Sequence, residues 1–181
     1  MGVGLVGKNN WYVISGGTSS GKSTIIAELQ KLGHKIFEET ARVVIDAGVA
    51  SGKTVEEVRK DEAAFQNLVL QKKVETEKNH DSKTLTFFDR GMHDTVAYFE
   101  HYGWELPEDA QQIMKNTSYK KVFLLDQLPT FEKDYARTEA DGFSDKISNL
   151  LHKAYTEYGM EPVHVPVLPV AERVKFILDN L

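Results

Sequence analysis

Two rhythms of apolar residues alternate along this chain. Compact apolar runs read as strands: Trp11 to Ser15, His34 to Glu38, Thr84 to Phe88, Lys121 to Leu125 and Val163 to Val167. In Val122-Phe123-Leu124-Leu125 the run is continuous, as in a strand buried on both faces. Between them, apolar residues recur at helical spacing. The predicted helices run from Gly21 to about Leu32, Thr40 to Gly48, Thr54 to about Lys78, His93 to Tyr102, Pro107 to about Asn116, Phe143 to Tyr158 and Pro169 to Leu181. Gly33 ends the first helix and Gly48 is taken as the stop of the second. The long helix carries an apolar stripe of Val58, Phe65, Leu68, Val69 and Val74, with charge elsewhere. Strands alternating with helices imply an α/β fold: a five-stranded parallel sheet with helices on both faces, in three layers, joined by right-handed crossovers. In such sheets ligands sit at the carboxyl ends of the strands.

The first of those ends carries the strongest signal. Gly16-Gly17-Thr18-Ser19-Ser20-Gly21-Lys22-Ser23 fits G-x-x-x-x-G-K-[ST] between an apolar strand and a helix, the context this phosphate-binding loop requires. Gly16 and Gly21 adopt backbone angles closed to other residues and let the main chain approach a ligand. The loop amides and the helix N-terminus then face an anion. Lys22 reaches toward β- and γ-phosphates, Ser23 suits Mg²⁺, and Thr24 suits the α-phosphate. Ser51-Gly52-Lys53-Thr54 ends similarly, but Ala47 stands in place of the first glycine and no clear strand precedes it. Thr54 and Glu57 have capping-box spacing, so this stretch reads as a loop and helix start.

Composition narrows the setting. The chain has 181 residues, 41% of them hydrophobic, enough for a real core. A net charge of −5 argues against broad nucleic-acid binding. The chain has no cysteine, which excludes thiolate metal sites and disulfides and fits a reducing compartment. No apolar run is long enough to cross a membrane, and the first residues lack signal-peptide features. A cytoplasmic location is expected. Residues 1–10 are expected to be a flexible arm, and 11–181 one domain with a lid-like segment near 127–142.

The remaining strand ends supply candidate chemistry. Asp89 follows the third strand and is the expected magnesium-site acid beside Ser23. Asp126, after the fourth strand, is its rival. Asp89 is preferred because Arg90 follows it, a cation where phosphate charge develops. Glu39 stands after the second strand, placed to accept a proton from an attacking hydroxyl. Arg42, one turn on, is suited to an anionic acceptor, and the acidic start of that helix also suits its dipole. Arg137 lies where a lid could close over phosphates. His80, His93 and His101 lack metal-ligand spacing and read as surface or packing residues.

Together these residues carry a resemblance. Ile14-Ser15-Gly16-Gly17 with Gly21-Lys22-Ser23, Glu38-Glu39-Thr40-Ala41-Arg42, Phe88-Asp89-Arg90-Gly91, Val122 to Leu125, Arg137-Thr138-Glu139 and Val170 to Val174 are similar to those of small P-loop ATPases related to the nicotinamide-riboside kinase domain, a group that includes the TRPL-translocation-defect protein. Thymidylate and deoxynucleoside kinases resemble it more distantly, with an acidic-Arg pair like Asp89-Arg90. The resemblance implies a nucleotide-kinase-type P-loop fold, strand order 2-3-1-4-5, and binding of Mg²⁺ with ATP or GTP. The chain has no N-K-x-D guanine motif, which favours ATP. It is expected to be an ATP-dependent phosphotransferase acting on a small acceptor such as a nucleoside or nucleotide. Lys22, Glu39, Asp89, Arg90 and Arg137 are its candidate catalytic groups, and Glu39, Arg42 and Arg90 the candidate acceptor contacts. The alternative is a nucleotide-dependent switch or slow NTPase.

Overall fold

The computed structural model describes residues 9–129 and 143–181. Arg137 and most of the expected lid lie outside the described residues. Five strands form one parallel sheet: β1 (Trp11–Gly16), β2 (Lys35–Phe37), β3 (Thr86–Asp89), β4 (Lys121–Leu125) and β5 (Val163–Val165), in the order β2-β3-β1-β4-β5. Every pairing is parallel. β1 therefore occupies the centre, and its carboxyl end opens into the glycine-rich loop.

Strand alternation builds two cores. Trp11, Val13, Phe88, Val122 and Leu124 face α5 (Asp94–Tyr102) and α7 (Phe143–Glu157). Tyr12, Ile14, Phe87, Phe123 and Leu125 face α1 (Lys22–Lys31) and α8 (Val170–Asp179). Both sides of the central strands are thus sealed with apolar side chains, as a parallel sheet requires. α2 (Thr40–Ala50), α3 (Val55–Val58) and α4 (Glu62–Lys78) form a separate cluster through Val44, Ile45, Phe65 and Val69. α6 (Glu108–Asn116) joins α4 through Met114 and Leu70. Asn9 and Asn10, assigned to the arm from sequence, are tied down. The Asn10 amide donates to Ser82 O at 2.7 Å, and its carbonyl accepts from the Thr86 amide at 3.1 Å.

Three local expectations need correction. The helix predicted from Thr54 to Lys78 is two helices. α3 starts with the expected capping box, Glu57 N to Thr54 Oγ1 at 3.1 Å and Thr54 N to Glu57 Oε2 at 2.8 Å. The helix breaks at Arg59 to Asp61, and Asp61 caps α4 by accepting from Ala64 N at 3.0 Å. The predicted apolar stripe is also displaced: Leu68 is 42% exposed, while Gln66, Lys73 and Glu77 are buried. Finally, Gly48 does not stop α2, which continues to Ala50. Gly48 is there because α3 crosses against it. A Cβ at Gly48 would lie 2.3 Å from Val58 Cγ2.

Gly48→Ala should therefore lower stability by about 1–3 kcal/mol through overpacking, despite alanine's better helix propensity. Adding Val58→Ala should recover part of that loss in thermal or urea denaturation. Equal stability of Gly48→Ala and wild type would contradict this packing.

Candidate functional site

The loop after β1 has the form its glycines predict. Gly16 has φ 153°, and a Cβ there would meet Ser20 Oγ at 2.7 Å and the Leu125 carbonyl at 2.9 Å. Gly21 caps α1 at φ 79°. Arg173 of α8 fastens the loop from below: its guanidinium donates to Ser20 O at 2.8 Å and Asp126 O at 3.1 Å. Ser19 and Ser20 hydroxyls are buried with no hydrogen-bond partner. Gly17 and Thr18 are buried, whereas Ser23 and Thr24 at the start of α1 are exposed. A tight loop with unpartnered hydroxyls, a helix N-terminus and a lysine is chemically suited to a phosphate chain. Ser23 and Asp89 carry oxygen atoms of the kind a magnesium ion prefers. Among the described residues there is no cluster of three or more His, Asp or Glu able to hold a metal on its own.

Lys22 is buried and points across the strand ends. Its Nζ bonds Asp89 Oδ1 and stands 3.8 Å from Glu39 Oε2. Glu39 in turn accepts from Arg90 Nε at 2.6 Å. Arg90 also donates to Asp94 Oδ2 at 3.1 Å, and that carboxylate receives Ser15 Oγ at 2.6 Å and Tyr155 OH at 2.5 Å. Five ionic groups from β1's loop, β3's end and the starts of α2 and α5 are therefore one connected network. Asp126 lies apart from it: its half-exposed carboxylate bonds His164 Nδ1 at 3.0 Å.

Burial sets the electrostatics. It pushes Asp89 above the usual carboxylate range; Lys22 opposes the rise and Glu39 adds to it. Burial also works against the charge on Arg90, but Tyr98, Glu39, Asp94 and Asp89 outweigh it and hold its pKa well above the ordinary value. Arg90 has φ 67°, a left-handed conformation unusual for a side chain this large. Its amide still reaches Ile14 O at 3.1 Å, so the turn stays docked on β1.

A narrow cleft opens beside this network, lined by Thr18, Glu39, Arg42, Phe65, Gln66, Lys73, Arg90, Thr95 and Tyr98 among others. Its free volume is about 70 Å³. The structure thus brings Glu39, Arg42 and Arg90 together, with Asp89 and Lys22 at the cleft's loop end. Sequence reading missed its back wall. Lys73 Nζ donates to Gly91 O at 2.8 Å. One turn on, Glu77 accepts from Tyr119 OH at 2.5 Å, and Tyr119 accepts from the Met92 amide at 2.7 Å. α4 thereby grips the Arg90–Met92 turn. The available signal was polar residues at helical spacing, 66, 73 and 77, where a core stripe should be apolar. Asp94, one turn after Arg90, was a second. His93 is fully buried, bonds Met114 O at 3.1 Å and packs against Tyr158 and Tyr155.

A family model described as an AAA domain matches residues 11–173. The chain belongs to this family. A search of curated proteins finds no match. The fold is that of kinase-like P-loop proteins. Deoxyadenosine kinase from M. mycoides, with products dCMP and a flexible dCDP bound, superposes at a TM-score of 0.65 with 16% identity, covering 94% of this chain and 97% of that one. The same kinase with dATP bound gives 0.60 and 19%, with the same coverage. NadR protein in complex with NR gives 0.65 and 14%, covering 95% of this chain and 50% of the NadR chain. No helix among the described residues of this family member is long and apolar enough to cross a membrane.

The back wall makes a pH prediction. Burial raises Glu77 to about 7 from 4.5, so the folded protein keeps a proton there that the unfolded chain releases. That stabilises the fold at low pH and is lost as pH rises through 7. Burial lowers His93 to about 4 from 6.5, so its contribution is lost as pH falls below 6.5. The two oppose each other between pH 4.5 and 6.5. Glu77→Gln removes only the first. Its unfolding free energy should then fall more steeply than wild type's on acidification, by up to about 1.4 kcal/mol per pH unit. Parallel pH profiles in urea titrations would contradict this.

Proposed function

We propose that this protein binds Mg-ATP on Gly16 to Thr24 and transfers the γ-phosphoryl to the hydroxyl of a small acceptor, of nucleoside type, in the adjoining cleft. One observation carries this reading: the Glu39 carboxylate lines the cleft and also lies 3.8 Å from the loop's Lys22. A single side chain faces both the place for phosphate and the place for an acceptor. The fold shared with deoxyadenosine kinase and NadR supports the choice of acceptor class.

In this reading Lys22 and the loop amides orient the triphosphate. Magnesium, held by Ser23 and Asp89, would supply charge neutralisation along the phosphates. Glu39 takes the proton from the acceptor hydroxyl. The freed oxygen bonds the γ-phosphorus as the bond to the β-phosphate bridge oxygen breaks, and ADP leaves. Arg90 holds Glu39 in place and adds positive charge beside the transferring group. Arg42 contacts the acceptor from α2. The free volume of about 70 Å³ is well below the ~300–1,000 Å³ of ligand pockets, so acceptor binding requires the cleft walls to part. The short, separately capped α3 leads into Arg59, which lines the cleft.

With Mg-ATP and a nucleoside panel, wild type should release ADP in an acceptor-dependent way. Glu39→Gln should cut that rate by about 10²–10⁴-fold while leaving Mg-ATP affinity within a few-fold. Nucleotide affinity with slow hydrolysis and no acceptor phosphorylated would overturn phosphotransfer in favour of a nucleotide-dependent switch.

A further inference from the structure

The cleft contains a hydroxyl that the protein leaves unused. Thr95, in the first turn of α5, is 1% exposed, lines the cleft, and has no hydrogen-bond partner at Oγ1. A helical threonine commonly bonds back to the carbonyl four residues earlier, here Gly91. That carbonyl is already engaged by Lys73 Nζ at 2.8 Å and by the Asp94 amide at 3.3 Å. Burying an unpaired hydroxyl lowers stability, so the arrangement is most economically explained by a partner that arrives with the ligand.

The surroundings define that partner. Two of the cations lining the cleft are already matched: Arg90 by Glu39 and Asp94, and Arg59 by both carboxylate oxygens of Glu62 at 3.0 and 2.8 Å. The Lys73 ammonium is on the Gly91 carbonyl. The other side chains lining this region include the Gln66 amide and the rings of Phe65 and Tyr98. Flat apolar walls, an amide and a hydroxyl suit an uncharged ring with donors and acceptors on its edge.

We propose that the Thr95 hydroxyl hydrogen-bonds the acceptor and selects one that presents an uncharged, hydrogen-bonding heterocycle to the back of the cleft. This rests on the phosphotransfer reading above. A contact remote from the reacting hydroxyl contributes equally before and during transfer, so its loss raises the acceptor KM and spares kcat.

The test compares wild type, Thr95→Val and Thr95→Ser against adenosine, deoxyadenosine, deoxycytidine and thymidine, and against their 5′-monophosphates. At least one nucleoside should be phosphorylated. Thr95→Val should raise its KM by about tenfold or more, with kcat, the KM for ATP and the melting temperature little changed. Thr95→Ser should restore the wild-type KM. If the valine variant does not fold, Thr95→Ala serves for the same comparison. An unchanged acceptor KM in an active, folded Thr95→Val or Thr95→Ala would overturn the role of Thr95 and leave phosphotransfer standing. Phosphorylation of monophosphates alone would overturn the nucleoside acceptor on which this inference rests. No transfer to any member would remove the phosphotransfer reading and this inference with it.

Discussion

A carboxylate shut away from water must be satisfied by its neighbours, and Asp94 meets that demand with donors from three parts of the chain. Ser15 comes from β1, Arg90 from the turn after β3, and Tyr155 from α7. The rest of the site hangs on this group. It holds Arg90 in a left-handed turn, Arg90 holds Glu39 at the start of α2, and Glu39 stands beside Lys22 in the phosphate loop. Removing one partner from such a network leaves a buried charge uncompensated, which typically costs several kcal/mol. The network therefore fixes where the strand ends meet as well as what they carry.

The same network explains why the cleft lies where it does. β1 and β3 are neighbours in the sheet, so the phosphate loop and the Asp89-Arg90 turn leave adjacent strand ends. β2 lies beyond β3 and delivers Glu39 and α2 to the far side of that turn. α4 closes the back, with Lys73 on the Gly91 carbonyl and Glu77 on Tyr119. Four sequence-distant segments thus converge because of strand order, and Arg173 braces the loop from the opposite side through Ser20, Asp126 and Val165 carbonyls.

Much of this was legible in the sequence. Strand positions and the parallel sheet followed from apolar runs such as Val122 to Leu125, and the phosphate loop from glycines whose spacing has a geometric meaning. The 2-3-1-4-5 order came from resemblance, since periodicity does not reveal which strands pair. What escaped was polar chemistry inside helices. Lys73 and Glu77 sit on α4 where pattern reading places solvent, because a charged side chain looks exposed until its buried partners are known. Leu68 was misassigned for the complementary reason: an apolar residue on a charged helix looks buried, but it is exposed. The break before Asp61 was hidden because the residues on either side of it are good helix formers. Gly48 read as a stop, yet its role is to admit Val58.

The central claim is that the loop from Gly16 to Ser23 holds a nucleoside triphosphate with Lys22 as its principal cation. Titration calorimetry of Mg-ATP into the intact protein tests it most directly. The account predicts saturable binding at one site, weakened at least about tenfold in Lys22→Ala, as expected for loss of a charge-assisted contact. Absence of binding heat for both Mg-ATP and Mg-GTP in wild type, or equal affinity in Lys22→Ala, would contradict it.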